Sequence, residues 1–177
     1  VLNPRVLHSA NYGVPQSRER VIFIGIKKSE LTKSALLELE KEIISDEYNP
    51  YPKPTHSYTA KGENLKKFVE LNEIFSLLEE PEKTNDLSQK FYSKAKYMGA
   101  HCQGQTEIKL NGISPTIRAE HHGNIEFRRL SKENGGKIDN ELSEGLTERR
   151  LTPRECALIQ TFPPDYDFVI ENKNGRK

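Results

Sequence analysis

At 177 residues the chain has the length of one domain, or of one domain with part of another. Hydrophobic residues make up 34% and charged residues 30%, which allows a modest core beneath long polar surface segments. The formal net charge of +1 excludes a global basic field, so any affinity for nucleic acid has to come from local patches.

One such patch lies at the start, where Arg5, Arg18, Arg20, Lys27 and Lys28 face only Glu19 within the first 28 residues. The two cysteines, Cys102 and Cys156, are far apart and fit neither a metal spacing nor a disulfide framework. They point to a reducing, intracellular setting, and a cytoplasmic protein is expected. No apolar run approaches 18 residues and no signal peptide is present, so no membrane segment is expected. The chain opens on Val1 and closes on the polar "ENKNGRK", the look of a fragment or a truncated reading.

Taken in order, "RVLHSA" predicts a strand, Gly13 and Pro15 a turn, and "RVIFIGI" a second, buried strand. Gln16, Arg18 and Arg20 stand at alternate positions ahead of it, so on an extended backbone they share one face. Apolar residues at 36, 37, 39, 43 and 44 predict an amphipathic helix over 34–45. Three prolines at 50, 52 and 54 then impose an extended loop. Leu65, Phe68, Val69, Phe75 and Leu78 predict a second helix over 63–80, stopped by Pro81. A third is expected from an Asn85 or Asp86 cap through "LSQKFYSKAKYM". Residues 99–148 hold most of the glycines and predict short extended pieces joined by turns. The last helix is the most sharply signalled. Thr152 is its N-cap, Pro153 its first residue, Glu155 completes a capping box, and Pro163 and Pro164 end it.

Two segments carry a family resemblance. "VLHSANYGVPQSRERVIFIG" resembles the eighth motif of the C5-cytosine DNA methyltransferases, and "RRLTPRECALIQTFPPDY" (149–166) resembles their ninth. The two occur in the family's order. The resemblance implies a mixed α/β fold: edge strands of an S-adenosylmethionine-dependent, Rossmann-like catalytic domain at 1–28, a small irregular α+β target-recognition domain at 29–148, and a capped helix leading back to the catalytic domain at 149–177.

It also implies an activity, the transfer of methyl from S-adenosylmethionine to C5 of a cytosine flipped out of double-stranded DNA, within a restriction–modification system. By this resemblance Arg20 sits near the flipped base and stabilises developing negative charge, while Arg18 and Gln16 organise the same edge or touch the DNA backbone. Arginine suits that task because it stays protonated and offers a rigid fork of donors.

"GISPTIRAEHHGNIEFRRL" (112–130) holds the other candidates. Thr116 and Ile117 resemble the family's Thr-aliphatic dipeptide. Arg118, His121, His122, Asn124, Arg128 and Arg129 supply donors suited to phosphates and guanine edges. Arg128 and Arg129 are adjacent, so at most one is expected to meet phosphate while the other packs or pairs. Adjacent histidines on a strand face opposite ways, which argues against a shared metal, and no metal site is expected. Arg150, Thr152 and Glu155 are expected to be structural, bracing the recognition domain against the catalytic one.

The family's F-x-G-x-G turn, its Pro-Cys nucleophile and its Glu-Asn-Val segment do not occur in this sequence. Cys102 follows a histidine and stands downstream of the arginine motif, so it is not expected to be the nucleophile. The chain by itself is expected to be inactive and to need a catalytic portion as partner. A non-catalytic DNA-binding module and an inactive truncated remnant are the alternatives.

Overall fold

The computed structural model describes residues 2–62, 64–95, 106–118, 126–136 and 143–168. Cys102, His121, His122 and Asn124 lie outside these residues, as does the stretch from 169 onward. Among the described residues the fold is a mixed α/β arrangement of small sheets and short helices.

The expected strand, turn and strand are present. Strand β1 (Arg5–His8) pairs antiparallel with β2 (Glu19–Ile22), in register from Arg5 with Ile22 to His8 with Glu19. A 3-10 turn, Ser9–Tyr12, follows β1 and ends at Gly13, whose φ of +82° favours glycine. The apolar run of the second strand is not buried, contrary to its hydrophobic pattern. Val6 and its cross-strand partner Val21 are exposed, and Phe23 retains 68% of its surface. Among the described residues nothing covers that face of the two-stranded ribbon.

Helix α1 (Lys33–Leu39) starts where the Thr32 hydroxyl accepts from the Ala35 amide. It ends before the predicted Ser45 because the chain folds back on Glu38. That carboxylate accepts from the Lys41 ammonium and the Ser45 amide, and those hydrogen bonds hold its pKa down to about 2. The helix predicted over 63–80 contracts to α2 (Leu71–Phe75). Glu70 and Glu73 form a capping box at Leu71, so the local signal for a helix start lies in the middle of the periodic run. Upstream of it, the Lys66 amide donates to the Thr55 carbonyl, pairing β4 (Lys66–Lys67) parallel with β3 (His56–Ser57).

Helix α3 (Leu87–Lys90) has the expected Asp86 cap but lasts only one turn. Ser93 and Lys94 are drawn into extended pairing: the Arg150 amide donates to the Ser93 carbonyl, and Lys94 bridges Arg149. Strands β5 (Thr106–Glu107), β6 (Glu126–Arg129) and β7 (Arg149–Arg150) form a three-stranded sheet. β5 runs parallel and β7 antiparallel to the central β6. Helix α4 (Pro153–Ile159) has the predicted capping box and proline start.

The core lies where α2, α4 and the segment after β5 meet. Leu71, Phe75, Ile108, Leu158 and Ile159 are buried together, with Ile74, Leu78, Leu110, Ile117 and Leu151 packed around them. Each such side chain contributes on the order of 1.5–3 kcal/mol when fully buried.

Beside this core sits a buried ionic cluster. Arg149, 1% exposed, donates two hydrogen bonds of 2.8 Å to the Glu155 carboxylate. Glu155 completes the capping box by accepting from the Thr152 amide at 2.9 Å. Arg129 grips Glu80 through two hydrogen bonds of 3.0 and 2.8 Å, and Arg149 reaches the same Glu80 at 3.5 Å. Arg128 stands 3.7 Å from Glu155 and covers the Phe75 ring. A register shift between Phe127 and Arg129 breaks the simple alternation of β6, and both arginines turn inward.

Burial opposes the charge on Arg149, but the hydrogen bonds to Glu155 and the charges of Glu155 and Glu80 outweigh it and raise its pKa. Glu80 is held below the usual carboxylate range, chiefly by its hydrogen bonds from Arg129. Arg149→Leu leaves Glu155 buried without its main counter-charge. It is expected to lower unfolding free energy by about 3–5 kcal/mol, measured by urea titration of the full chain.

Candidate nucleic-acid interface

The turn from Val14 to Arg18 presents the arginines, and its backbone is held on two sides. Ser9 on one side donates from its hydroxyl to the Gln16 carbonyl at 2.5 Å and accepts from the Arg18 amide at 3.2 Å. The Ser9 amide closes the pair by donating to the Arg18 carbonyl at 2.9 Å. On the other side stands the segment 112–116. The Ser114 amide donates to the Pro15 carbonyl at 2.9 Å, and the Ser17 amide donates to the Ser114 carbonyl at 2.7 Å. The Thr116 hydroxyl donates to the Ser17 carbonyl at 2.5 Å. Gly13 is required for a second reason besides its φ, since a Cβ there would lie 2.9 Å from Cε1 of His56.

Gln16, Arg18 and Arg20 do not form one presented edge. Gln16 is 2% exposed and lies inside the turn, bridged to Ser114. Arg18 is half-buried and Arg20 exposed. Arg18 lies just ahead of β2 and Arg20 within it. The Arg20 guanidinium donates to the Glu19 carbonyl at 2.6 Å.

Thr116 is brought beside the arginine turn, but its hydroxyl is engaged with Ser17. Arg118, two residues on, is exposed. Arg128 and Arg129 are interior residues, 8% and 3% exposed, bound up in the ionic cluster rather than displayed as donors to a ligand. The expected outward donor among them is therefore not on the surface. Of the residues expected to brace, Thr152 and Glu155 form the capping box of α4. The arginine that grips Glu155 is Arg149, not Arg150. Arg150 is half-buried on the other side of the two-residue strand β7, and burial lowers its pKa.

Arg149, Glu80, Ser9 and Ser114 escaped the sequence reading. Strand alternation carried a signal for the first, because one of two adjacent arginines beside a capped helix has to face inward. Glu80 and Ser114 depend on contacts between residues 49 to 99 apart, and Ser9 bonds backbone groups that any residue has. Cys156 lies within α4 beside Arg150 and Glu126, and burial pushes its thiol up to about 12. It remains a protonated packing residue.

The sequence has no F-x-G-x-G turn to hold a methyl donor, and strand β2 leads through Gly25 into a 3-10 turn, Lys28–Glu30. Among the described residues no three His, Cys, Asp or Glu side chains group to hold a metal ion, and no helix is long and apolar enough to cross a membrane.

A mixed α/β chain whose twin-arginine turn is bolted to a distant Ser-Pro-Thr-Ile segment matches one class of protein along its whole length. Residues 1–177 match the family described as C-5 cytosine-specific DNA methylase, and the chain belongs to that family. It is 32% identical over 167 residues to the type II methyltransferase M.BspRI of Lysinibacillus sphaericus, covering 93% of this chain and 33% of that protein. It is 30% identical over 171 residues to the type II methyltransferase M.BsuRI of Bacillus subtilis, covering 93% and 32%. The type II methyltransferase M.BbvI of Brevibacillus brevis is 28% identical over 189 residues, covering 99% and 43%. The chain thus spans about a third of the length of the first two relatives. No solved structure matches it.

Glu126 opens β6 at the edge of this region, and one of its carboxylate oxygens is buried without a hydrogen-bond partner. Burial raises its pKa from 4.5 to about 7, against the pull of its own amide and of the Arg118 charge. The folded state therefore holds a proton that the unfolded state has released, and stability falls as pH rises from about 4.5 through about 7. Glu126→Gln is expected to raise the melting temperature at pH 8 and to change it little at pH 4, followed by thermal denaturation across that range.

Proposed function

We propose that this chain is the target-recognition part of a DNA (cytosine-5-)-methyltransferase from a type II restriction–modification system. The observation that carries the proposal is the joining of two remote segments. The turn bearing Arg18 and Arg20 is hydrogen-bonded to residues 114–116, which lead directly to the exposed Arg118. A catalytic edge and a DNA-reading edge are thereby held side by side.

Residues 1–28 are the edge strands of a Rossmann-like catalytic domain, residues 29–148 the recognition domain, and residues 149–177 the connection back. Support for the first assignment is the bare apolar face of the β1–β2 ribbon, with Val6, Val21 and Phe23 exposed. The covering layer is the catalytic portion that the longer relatives have room for. That portion carries the cysteine nucleophile and holds S-adenosylmethionine, which supplies the methyl group. This chain's own residues act on the DNA. Arg20 stabilises negative charge at the flipped cytosine and Arg18 supports the same edge. Arg118, His121, His122 and Asn124 meet the duplex, with Arg118 reading a base edge. Arg128 and Arg129 brace that surface from inside. The working location is the cytoplasm, on nucleoid DNA.

The test is reconstitution of this chain with a catalytic portion carrying the F-x-G-x-G and Pro-Cys motifs. Methyl transfer to duplex DNA supports the proposal, whereas DNA binding without transfer supports a binding module instead. In that complex Arg20→Ala is expected to lower the single-turnover rate on the order of 100-fold, with a much smaller change in DNA affinity. An unchanged rate shows that Arg20 is only a solvated strand residue.

Arg118→Ala is expected to relax discrimination at one base pair by roughly 1–3 kcal/mol. It is measured as binding to cognate and single-mismatch duplexes at several salt concentrations. A uniform loss across sequences with a salt slope reduced by about one unit marks a phosphate contact instead.

A further inference from the structure

From the Pro15 carbonyl to the Arg18 carbonyl, every backbone donor and acceptor has a partner within the chain. The Gln16 amide donates to the Val14 carbonyl at 2.7 Å, and the remaining groups are taken by Ser9, Ser114 and Thr116. The backbone of these four residues is thus held by the chain itself rather than by water. Two side-chain hydroxyls supply three of these bonds. Ser9 bridges the Gln16 carbonyl and the Arg18 amide, and Thr116 takes the Ser17 carbonyl. The guanidinium of Arg20, by contrast, stays exposed.

We infer that Ser9 and Thr116 are positioning residues for the methyl-transfer reaction: their hydroxyls lock the backbone of residues 16–18 to the 112–116 segment and so aim Arg18 and Arg20 at the reacting base. The inference rests on the proposed roles of those two arginines. It gives Thr116 a task different from touching DNA, and it gives Ser9 a task that its place in the sequence does not announce. Ser114 contributes through its backbone alone to these bonds. Its own hydroxyl turns to the Pro115 carbonyl at 2.9 Å, so Ser114→Ala leaves the lock in place. An ångström of misplacement at a reacting centre costs up to about 100-fold in rate, which is the scale on which the lock acts.

The experiment compares Ser9→Ala, Ser9→Thr, Thr116→Val and Thr116→Ser in two settings. In the full chain, amide hydrogen exchange at Gln16, Ser17 and Arg18 is expected to accelerate in Ser9→Ala and Thr116→Val and to return toward the parent in the two hydroxyl-bearing variants. In the complex reconstituted with the catalytic portion, Ser9→Ala and Thr116→Val are expected to lower the single-turnover rate about tenfold or more at unchanged DNA affinity. Ser9→Thr and Thr116→Ser restore it. Combining Ser9→Ala with Arg18→Ala and Arg20→Ala adds no further loss, because the hydroxyl acts only through those arginines.

Parent-like rates in both hydroxyl-free variants, or losses that add to those of the arginine variants, overturn the inference. A loss of DNA affinity with an unchanged rate in Thr116→Val assigns that hydroxyl to the DNA instead and also overturns it. If the arginine variants themselves turn over at the parent rate, the proposed roles of Arg18 and Arg20 fail while the methyltransferase reading stands. The exchange data then still report whether the lock exists.

Discussion

The fold depends on a buried ion pair, Arg149 with Glu155. Taking two charges from water costs several kcal/mol for each, and the pair survives only because the guanidinium fork meets both carboxylate oxygens and neighbouring charges add to it. Glu80 brings in the segment after α2, Arg129 brings in the central strand, and Thr152 ties the cap of α4 to Gln89 of α3 at 2.6 Å. Asp86 extends the network by accepting from Arg154 at 2.7 Å. Segments some 70 residues apart in the chain thus meet around charges whose partners are specific in geometry. An apolar contact of the same size tolerates sliding, whereas a misplaced buried charge does not.

Once α4 is fixed on the sheet, the remaining placements follow. Leu158 and Ile159 close over Leu71, Phe75 and Ile108, and the chain leaving Ile108 passes Leu110 and Ile117 along the same core. Between those two residues lie Ser114 and Thr116, which meet the arginine turn. There is therefore a continuous physical path from the ionic cluster through the core to the backbone that carries Arg18 and Arg20. The path ends in a rigid turn with an exposed guanidinium. Such a combination suits an electrostatic role, because donors fixed in advance need no reorganisation when charge develops.

The amino-terminal ribbon behaves differently. Its pattern of Val, Ile and Phe is that of a strand covered on both faces, yet one face stands open. The contradiction between pattern and exposure agrees with the short span of the chain relative to M.BspRI and M.BsuRI. Sequence burial patterns belong to the whole protein in which a segment works.

What the sequence determined alone was short-range: the strand, turn and strand about Gly13, the caps at Asp86 and Thr152, and the arginine motif with its family. Each rests on groups within a few residues, where propensity and hydrogen bonding act without help from the rest of the chain. Tertiary structure decided the rest. It drew Lys66 and Lys67 out of the run 63–80 into a two-residue strand, where the Lys66 amide donates to the Thr55 carbonyl. It ended α3 after one turn through pairing with β7, and it turned Arg128 and Arg129 inward at a register shift. It also placed Gln16 inside and left Arg20 outside, although the two belong to one motif. Periodicity records which residues are apolar, but the partners of a backbone amide or a buried charge lie dozens of residues away, and only the folded chain brings them within 3 Å.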